Sequence, residues 1–481
     1  MRLILIALFT SLYFISPAQT TYFEDTQNMF IGIESGESEF VDVDGDGDLD
    51  IFITGNSDDP GGNTKLYIND GSGNFSETVT SIPQLRFSTM AFADVDGDND
   101  LDILIAGQPN DPNIDYATFL YLNDGAGNFT DSNESFQQIL ASDVGFADID
   151  NDADQDIFII GITDNPMGPF TFMYVNDGSG NYSLIPNKFT PALIGKFKFA
   201  DIDGDNDPDL LIIGWTGELL MMASTLYEND GNGNFTKIGH TPFENLGSSS
   251  IYFADIDGDQ DQDVLLTGSS DKGLTTLLYI NNGLGEYILK DNTGIVNVYF
   301  GESSFSDVDL DGDLDLLIIG RKNSALDGIA KLYFNDGNGN FTEDLNSNFI
   351  GASDGSVDFG DIDGDGDIDA LISGFSPDGM LYSKLYINDF TLATESHSFS
   401  FQLNLFPNPC KDYLMLETEI QMDEITIELS NSTGQILNSN YFQNVSTFEI
   451  PVLSLIEGLY FLKISDGNNR SETISFVKEE Y

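Results

Sequence analysis

A nine-residue string of alternating aspartates recurs seven times along this chain. The first copy reads Asp42-Val-Asp-Gly-Asp-Gly-Asp-Leu-Asp50. The others begin at Asp94, Asp148, Asp201, Asp255, Asp307 and Asp361, at intervals of 52, 54, 53, 54, 52 and 54 residues. A near-constant period of this size marks stacked supersecondary units, as in a propeller or a solenoid.

Each period keeps one internal order. An apolar stretch ending in Phe92-Ala93, Phe146-Ala147 or Phe199-Ala200 leads into the acidic string. An apolar run follows, closed by Gly55, Gly107, Gly161, Gly214, Gly268, Gly320 or Gly374. A variable loop comes next, then a Leu-Tyr-x-Asn segment such as Leu66 to Asn69, then a Gly-x-Gly-Asn turn and an aromatic, as in Gly71 to Phe75. The runs are short, rich in Ile, Val, Phe, Tyr and Leu, and bounded by Gly, Asn and Asp. They read as four strands per period, with no helix-length pattern. Four antiparallel strands per repeat make one propeller blade. The expected fold is therefore all-β: a seven-bladed β-propeller. A solenoid is the runner-up, but it needs atypical capping repeats, and none is visible. The seventh copy ends at Phe390 without a fourth strand. The segment from Thr20 to Asp25 resembles the missing one (compare Asn128 to Asp131), so it is expected to close the ring and remove open sheet edges.

The aspartate spacing also predicts chemistry. Candidate metal ligands in the first copy are Asp42, Asp44, Asp46, Asp48 and Asp50, and in the second Asp94, Asp96, Asp98, Asp100 and Asp102. The third and fourth supply Asp148, Asp150, Asp152, Asp154, Asp156, Asp201, Asp203, Asp205, Asp207 and Asp209. The fifth supplies Asp255, Asp257, Asp259, Asp261 and Asp263, and the sixth Asp307, Asp309, Asp311, Asp313 and Asp315. The seventh supplies Asp361, Asp363, Asp365, Asp367 and Asp369. Oxygens at positions 1, 3 and 5, a backbone carbonyl near 7 and a carboxylate at 9 wrap one hard cation, like a shortened EF-hand loop, and loose oxygen-rich geometry favours Ca2+ over Mg2+. Empty, each loop crowds five like charges into nine residues. The competing reading, a solvated acidic turn, does not explain why every Asp is kept in every copy. The expectation is up to seven structural Ca2+ ions. At free calcium tenfold above the dissociation constant each adds about 1.4 kcal/mol, and seven add on the order of 10 kcal/mol. The third loop, with Asn151 and Ala153 where the turn prefers Gly, is expected to hold its ion most weakly.

The chain has 17 basic and 81 acidic residues, a net charge of −64. Such an excess repels phosphate backbones and anionic lipid, so neither nucleic acid nor a membrane surface is an expected partner. With 40% hydrophobic and 12% aromatic residues the chain is too apolar for disorder. One cysteine, Cys410, allows no internal disulfide, and two histidines, His240 and His397, give no basis for a His-rich zinc site.

The N-terminus reads Met1-Arg2, an apolar run from Leu3 to Ile15, then Ser16-Pro17-Ala18. This is a secretory signal pattern covering 1–18, and the run is short for a transmembrane anchor. The propeller is expected over 19–390, a polar linker over 391–400, and over 401–481 a separate small β-sandwich of about seven short strands.

The aspartate strings resemble those of the FG-GAP/VCBS repeat family, whose blades also form the integrin α-subunit propeller. The family pattern Asp-x-Asp-x-Asp-Gly-x-x-Asp falls on Asp42, Asp44, Asp46, Gly47 and Asp50, with Asn99, Ala153, Asn206 and Gln260 departing at the glycine position. The resemblance implies calcium binding and adhesion or ligand binding. The segment with Leu405-Phe406-Pro407-Asn408-Pro409 and Gly458-Leu459-Tyr460 resembles a type A C-terminal sorting domain of the type IX secretion system. That resemblance implies export to the cell surface or medium, with the secretion machinery as partner to 401–481.

An unidentified extracellular glycan or protein is the expected ligand. Calcium loops and Gly-x-Gly turns share one face of a four-stranded blade. The opposite face carries loops that differ between copies, and differing loops are free to specify a partner. Trp215, the sole tryptophan, offers a stacking surface, with packing between blades as its ordinary alternative. Arg321 offers a rare positive charge, with a plain surface charge as its alternative. No nucleophile–His–acid arrangement is evident, so no enzyme is expected. A propeller-based polysaccharide-degrading enzyme, or a structural surface component, is the alternative.

Overall fold

The computed structural model describes residues 23–26, 30–111, 114–164, 167–186, 189–217, 221–323, 327–388, 403–431, 436–453, 455–466 and 471–478. The signal segment 1–18 and the linker 391–400 lie outside them. Two compact units are present, one spanning Thr21–Phe390 and the other carrying the C-terminal strands.

The larger unit is all-β, and its described residues contain no helix. They form seven four-stranded antiparallel sheets in sequence order. Sheets I to VI span 34–78, 85–131, 140–185, 193–237, 247–289 and 303–343. Sheet VII takes three strands from 357–388 and its fourth from Phe23–Asp25. There Phe23 pairs with Asn388 and Asp25 with Tyr386. Phe23 is buried and meets Phe349 at 5.0 Å, while Lys384 and Asp25 form an ion pair. The first strand of each sheet touches the first strand of the next, and that of sheet VII touches that of sheet I. The sheets thus close into a propeller-like ring without a free end.

The burial pattern follows from this stacking. The second strand of each sheet lies between two neighbouring sheets, so both its faces are covered. Asp50–Asn56 and Asp315–Arg321 are each buried at six successive residues. This is why these runs read as continuous Ile/Leu stretches rather than alternating ones. The core lies between sheets: Val41, Phe52 and Leu66 of sheet I pack with Leu85, Met90 and Ile103 of sheet II. Outer strands shrink to exposed pairs such as Thr130–Asp131 and Thr236–Lys237, a common way to blunt a sheet edge. The Tyr of each Leu-Tyr-x-Asn is core, and in six copies its hydroxyl accepts a backbone N–H from the segment leading into its own sheet; Tyr67 takes that of Ile31 at 3.1 Å.

Among its described residues the smaller unit forms one connected five-stranded sheet rather than about seven short strands. Two strands are long, Tyr413–Asn431 and Ile436–Pro451, and their pairing passes through a register shift between Glu417 and Met422. The halves on either side of that shift share one core, with Leu414, Leu416, Ile425 and Leu462 together. Halves of one strand thus resemble separate strands in the sequence. Cys410 is buried in this core.

Candidate metal loops

The acidic strings form the turns between first and second strands, at the same end of the ring as the Gly-x-Gly turns. All seven have one backbone shape. Position 4 is left-handed in each, with φ from 56° to 81° at Gly45, Gly97, Asn151, Gly204, Gly258, Leu310 and Gly364. Position 6 is left-handed too, with φ from 70° to 97° at Gly47, Asn99, Ala153, Asn206, Gln260, Gly312 and Gly366. The position-1 Asp draws the loop together: in every copy its Oδ2 accepts the position-6 N–H, at 2.9 to 3.1 Å. Ala153, Gln260 and Leu310 hold a conformation that suits Gly, Asn or Asp far better than their own side chains. Leu310 in the sixth loop and Gln260 in the fifth are therefore further awkward positions beside the expected one in the third.

Position 9 is the anchor. Its Oδ2 accepts the N–H of position 2, and its Oδ1 accepts that of the Asn in the third strand, at 2.8 Å for Asp50 and Asn69. Burial pushes the carboxyls of Asp50, Asp102 and Asp156 up to about 6, those of Asp209, Asp263 and Asp369 to about 7, and that of Asp315 to about 8, despite these donors.

Position 3 leaves one oxygen unmet in every copy. In all seven loops its Oδ1 is buried and has no hydrogen-bond donor: Asp44, Asp96, Asp150, Asp203, Asp257, Asp309 and Asp363. Burial and the neighbouring aspartates hold these carboxyls above the usual range, Asp309 at about 6. One oxygen from each of positions 1, 3 and 9 converges within 4.8 Å in the first four loops, and from positions 1, 3 and 5 in the fifth. A buried, unpaired carboxylate oxygen is costly unless a cation meets it. An oxygen-only donor set of this kind fits a hard divalent ion. Position 7 points elsewhere. In six copies its carboxylate lies on the glycine that opens the Gly-x-Gly turn, where a Cβ on Gly71 would come 2.1 Å from an Asp48 oxygen and one on Gly231 2.5 Å from Asp207. This contact explains the invariant turn glycine.

The loops are also joined from sheet to sheet. The Asn of each Leu-Tyr-x-Asn donates its side-chain N–H to the position-2 carbonyl of the preceding repeat's loop. Asn123 reaches Val43, Asn176 Val95, Asn229 Ile149, Asn281 Ile202, Asn335 Ile256 and Asn388 Val308, at 2.8 to 3.0 Å. Asn69 reaches back to Ile362 at 2.8 Å, completing the circle. Each acidic loop is thus one side of an inter-sheet clasp.

The FG-GAP-like repeat model matches residues 42–105, 94–159, 201–266 and 307–372, more than half of the chain. The protein belongs to the FG-GAP-like repeat family. Residues 404–479 match the secretion system C-terminal sorting domain, which marks the chain for export. Among the described residues no helix is long and apolar enough to cross a membrane. No curated protein matches the chain. Similar solved structures include the extracellular domain of a putative one-component system from B. thetaiotaomicron, at 10% identity and a TM-score of 0.41 over 97% of this chain and 59% of that one. The extracellular domain of a putative hybrid two-component system from the same organism shows 12% identity and a TM-score of 0.41, over 95% and 57%. AofleA from Arthrobotrys oligospora shows 12% identity and a TM-score of 0.41, over 69% and 92%. This chain spans under two thirds of the first of these structures.

The two single residues singled out in the variable loops of this FG-GAP-like protein are both engaged. Trp215 is half-buried in sheet IV and lies over Gly247 of sheet V, where an added Cβ would come 2.3 Å from the indole nitrogen. Arg321 forms an ion pair with Asp354, lies 5.0 Å from the Phe300 ring centroid and donates from Nε to Ser353 Oγ at 3.3 Å. They belong to different sheets, IV and VI.

The sequence reading missed the wall of the central channel. About seven residues before the string, the first strand of five sheets opens with a bulge, and in sheets VI and VII the same register position lies just ahead of the strand. Ser35, Phe87, Ile194, Ser248, Phe300 and Asp354 sit there with φ of 47° to 56°. The next residue is Gly or Ser in all seven copies (Gly36, Ser88, Ser142, Gly195, Ser249, Gly301, Gly355). A Cβ on Gly36, Gly195, Gly301 or Gly355 would come within 2.5 Å of a second-strand carbonyl. That small residue was the available signal. Further in, Lys196 Nζ bridges Glu37 at 3.0 Å and Asp143 at 3.2 Å. Burial opposes the charge on Lys196, but Asp143 and Glu37 outweigh it and hold its proton well above the usual range. Glu39, Lys198, Glu302 and Asp358 line the same channel.

Proposed function

We propose that the ring is a seven-bladed β-propeller whose acidic loops hold structural Ca2+, and that the exported protein acts as a ligand-binding or adhesion module. The observation that carries the calcium reading is the orphaned Oδ1 of position 3, repeated in seven loops. Positions 1, 3, 5 and 9 would hold the ion. Position 7 would contribute its backbone, since its side chain faces the turn glycine. The bound ion balances charge and rigidifies the loop whose position-2 carbonyl receives the next sheet's Asn. Calcium then does for this ring what disulfides do in other exported proteins.

Binding is favoured over catalysis because the aspartates are spent on loop architecture. His240 is exposed in the fourth repeat, and no nucleophile–base pair emerges among the described residues. The ligand class open to such a surface includes glycans and extracellular proteins. A glycan and matrix-protein array with and without calcium, paired with a polysaccharide-degradation assay on the same preparation, tests this. Calcium-dependent retention of a ligand without bond cleavage is expected. Turnover of any polysaccharide would replace the binding reading with an enzymatic one.

A further inference from the structure

The mouth of the channel opposite the acidic loops opens into a cavity of about 290 Å³. All seven repeats contribute to its lining. Its rim comes from the bulge ring, which turns apolar side chains toward solvent: Phe87 is 40% exposed and Ile194 48%. Phe300 lies beside them, its ring held by Arg321.

Four charged side chains line this cavity: Glu37, Lys196, Glu302 and Asp354. Three are matched. Lys196 bridges Glu37 and Asp143, and Glu37 also accepts from Thr89 Oγ1 at 3.0 Å and Met90 N–H at 2.7 Å. Asp354 is held by Arg321. Glu302 alone has no donor to its carboxyl among the described residues. Burial raises it to about 7, with Lys196 and Lys198 pulling it down and Glu37 and Asp143 pushing it up. An apolar, half-open rim above one unmatched carboxyl is the layout of a small-molecule pocket.

We propose that this cavity is a binding site for a small organic ammonium ion, with Glu302 receiving the charged head and Phe87, Ile194 and Phe300 an apolar substituent. An anion is disfavoured, since the lining's only cation, Lys196, already bridges two carboxylates. A bare divalent ion would leave the rim without a role. The proposal gives the ligand-binding reading a place and a ligand class, but it does not depend on the calcium loops.

Its test is isothermal titration of the full chain, in saturating calcium, with benzylammonium and with benzyl alcohol as the uncharged control. Saturating calcium keeps the acidic loops from acting as a sink for the amine and separates this result from any failure of the calcium reading. One saturable site is expected, at least tenfold tighter for benzylammonium, because a charge-assisted hydrogen bond to a carboxylate is roughly twice as strong as a neutral one. Glu302→Gln, similar in shape, should lose about tenfold in benzylammonium affinity and leave benzyl alcohol unchanged. Phe87→Ser on the rim should weaken both probes. As pH rises through about 7, benzylammonium should bind more tightly to the native chain but not to the Glu302→Gln variant. Equal affinity for the two probes, or a Glu302→Gln variant that binds like the native chain, overturns the proposal. So does the absence of saturable heat from a protein whose melting shows it folded and calcium-loaded.

Discussion

At one end of the ring the same atoms recur seven times; at the other the same backbone recurs but the side chains do not. The acidic loops repeat Asp at positions 1, 3, 5, 7 and 9, the same left-handed turns and the same Asn clasp. The channel mouth repeats its bulge and its small residue, then presents Ser35, Phe87, Ala141, Ile194, Ser248, Phe300 and Asp354 from one register position. Two positions further on, the series is Glu37, Thr89, Asp143, Lys196, Ser250, Glu302 and Ser356. Seven identical sites suit one task done seven times, such as holding an ion. Five kinds of side chain among seven equivalent positions suit a single asymmetric partner, because variety carried on a rigid scaffold is a route to specificity.

The comparison breaks most readily at the loop end. Stripping calcium with a chelator should lower stability on the order of 10 kcal/mol, and scanning calorimetry should show a large fall in melting temperature that added Ca2+ reverses. An unchanged melt would mean that the orphaned position-3 oxygens bind nothing. The next largest effect concerns the clasp. Asn229→Ala removes one of two donors to the Ile149 carbonyl, which keeps the Gly233 N–H at 2.9 Å, and should cost about 1 kcal/mol in a denaturant melt. It should also weaken calcium binding, since that carbonyl belongs to the third loop. A stability loss with unaltered calcium affinity would separate clasp from ion.

Of similar size are the differences among loops. Ala153→Gly and Leu310→Gly relieve left-handed strain and should each add about 1 kcal/mol in the calcium-loaded state. Gly47→Ala should lose a similar amount. If the three variants melt alike, the loops are looser than their common φ values indicate.

What could be seen in advance follows the same division. The repeat period, the four strands and the ring-closing segment were legible because identical residues meet identical neighbours in every copy. The common shape of the acidic loops was legible for the same reason, although in six copies the carboxylate of position 7 faces the glycine turn. The channel was harder to see. Its side chains differ from copy to copy, so Glu37, Lys196 and Glu302 look like scattered surface charges until the ring brings them together. Trp215 had two readings, a ligand platform or packing between blades, and its contact with Gly247 of the next sheet fits the second. In the C-terminal unit, long strands running through a register shift look like twice as many short ones, because the shift moves the apolar residues from one side of the strand to the other.

The finest prediction concerns protons in the channel. Glu302 titrates near 7 when folded, well above the 4.5 of an open chain, with burial as the main cause. Between those values the native state holds a proton that the unfolded state has released. Stability from this group must therefore fall as pH rises from about 4.5 to about 7, and stay reduced above that. Asp358, raised to about 6 by its own burial, pushes the same way over a narrower window. The position-9 aspartates of the loops would add a similar slope if empty, which is why the measurement needs saturating calcium and a difference between two proteins. Glu302→Gln should melt higher than the native chain at pH 8 and nearly level with it at pH 4.5. A gap that is constant with pH would mean that Glu302 is solvated, and the channel mouth would then be no more specialised than any exposed acidic turn on the opposite face.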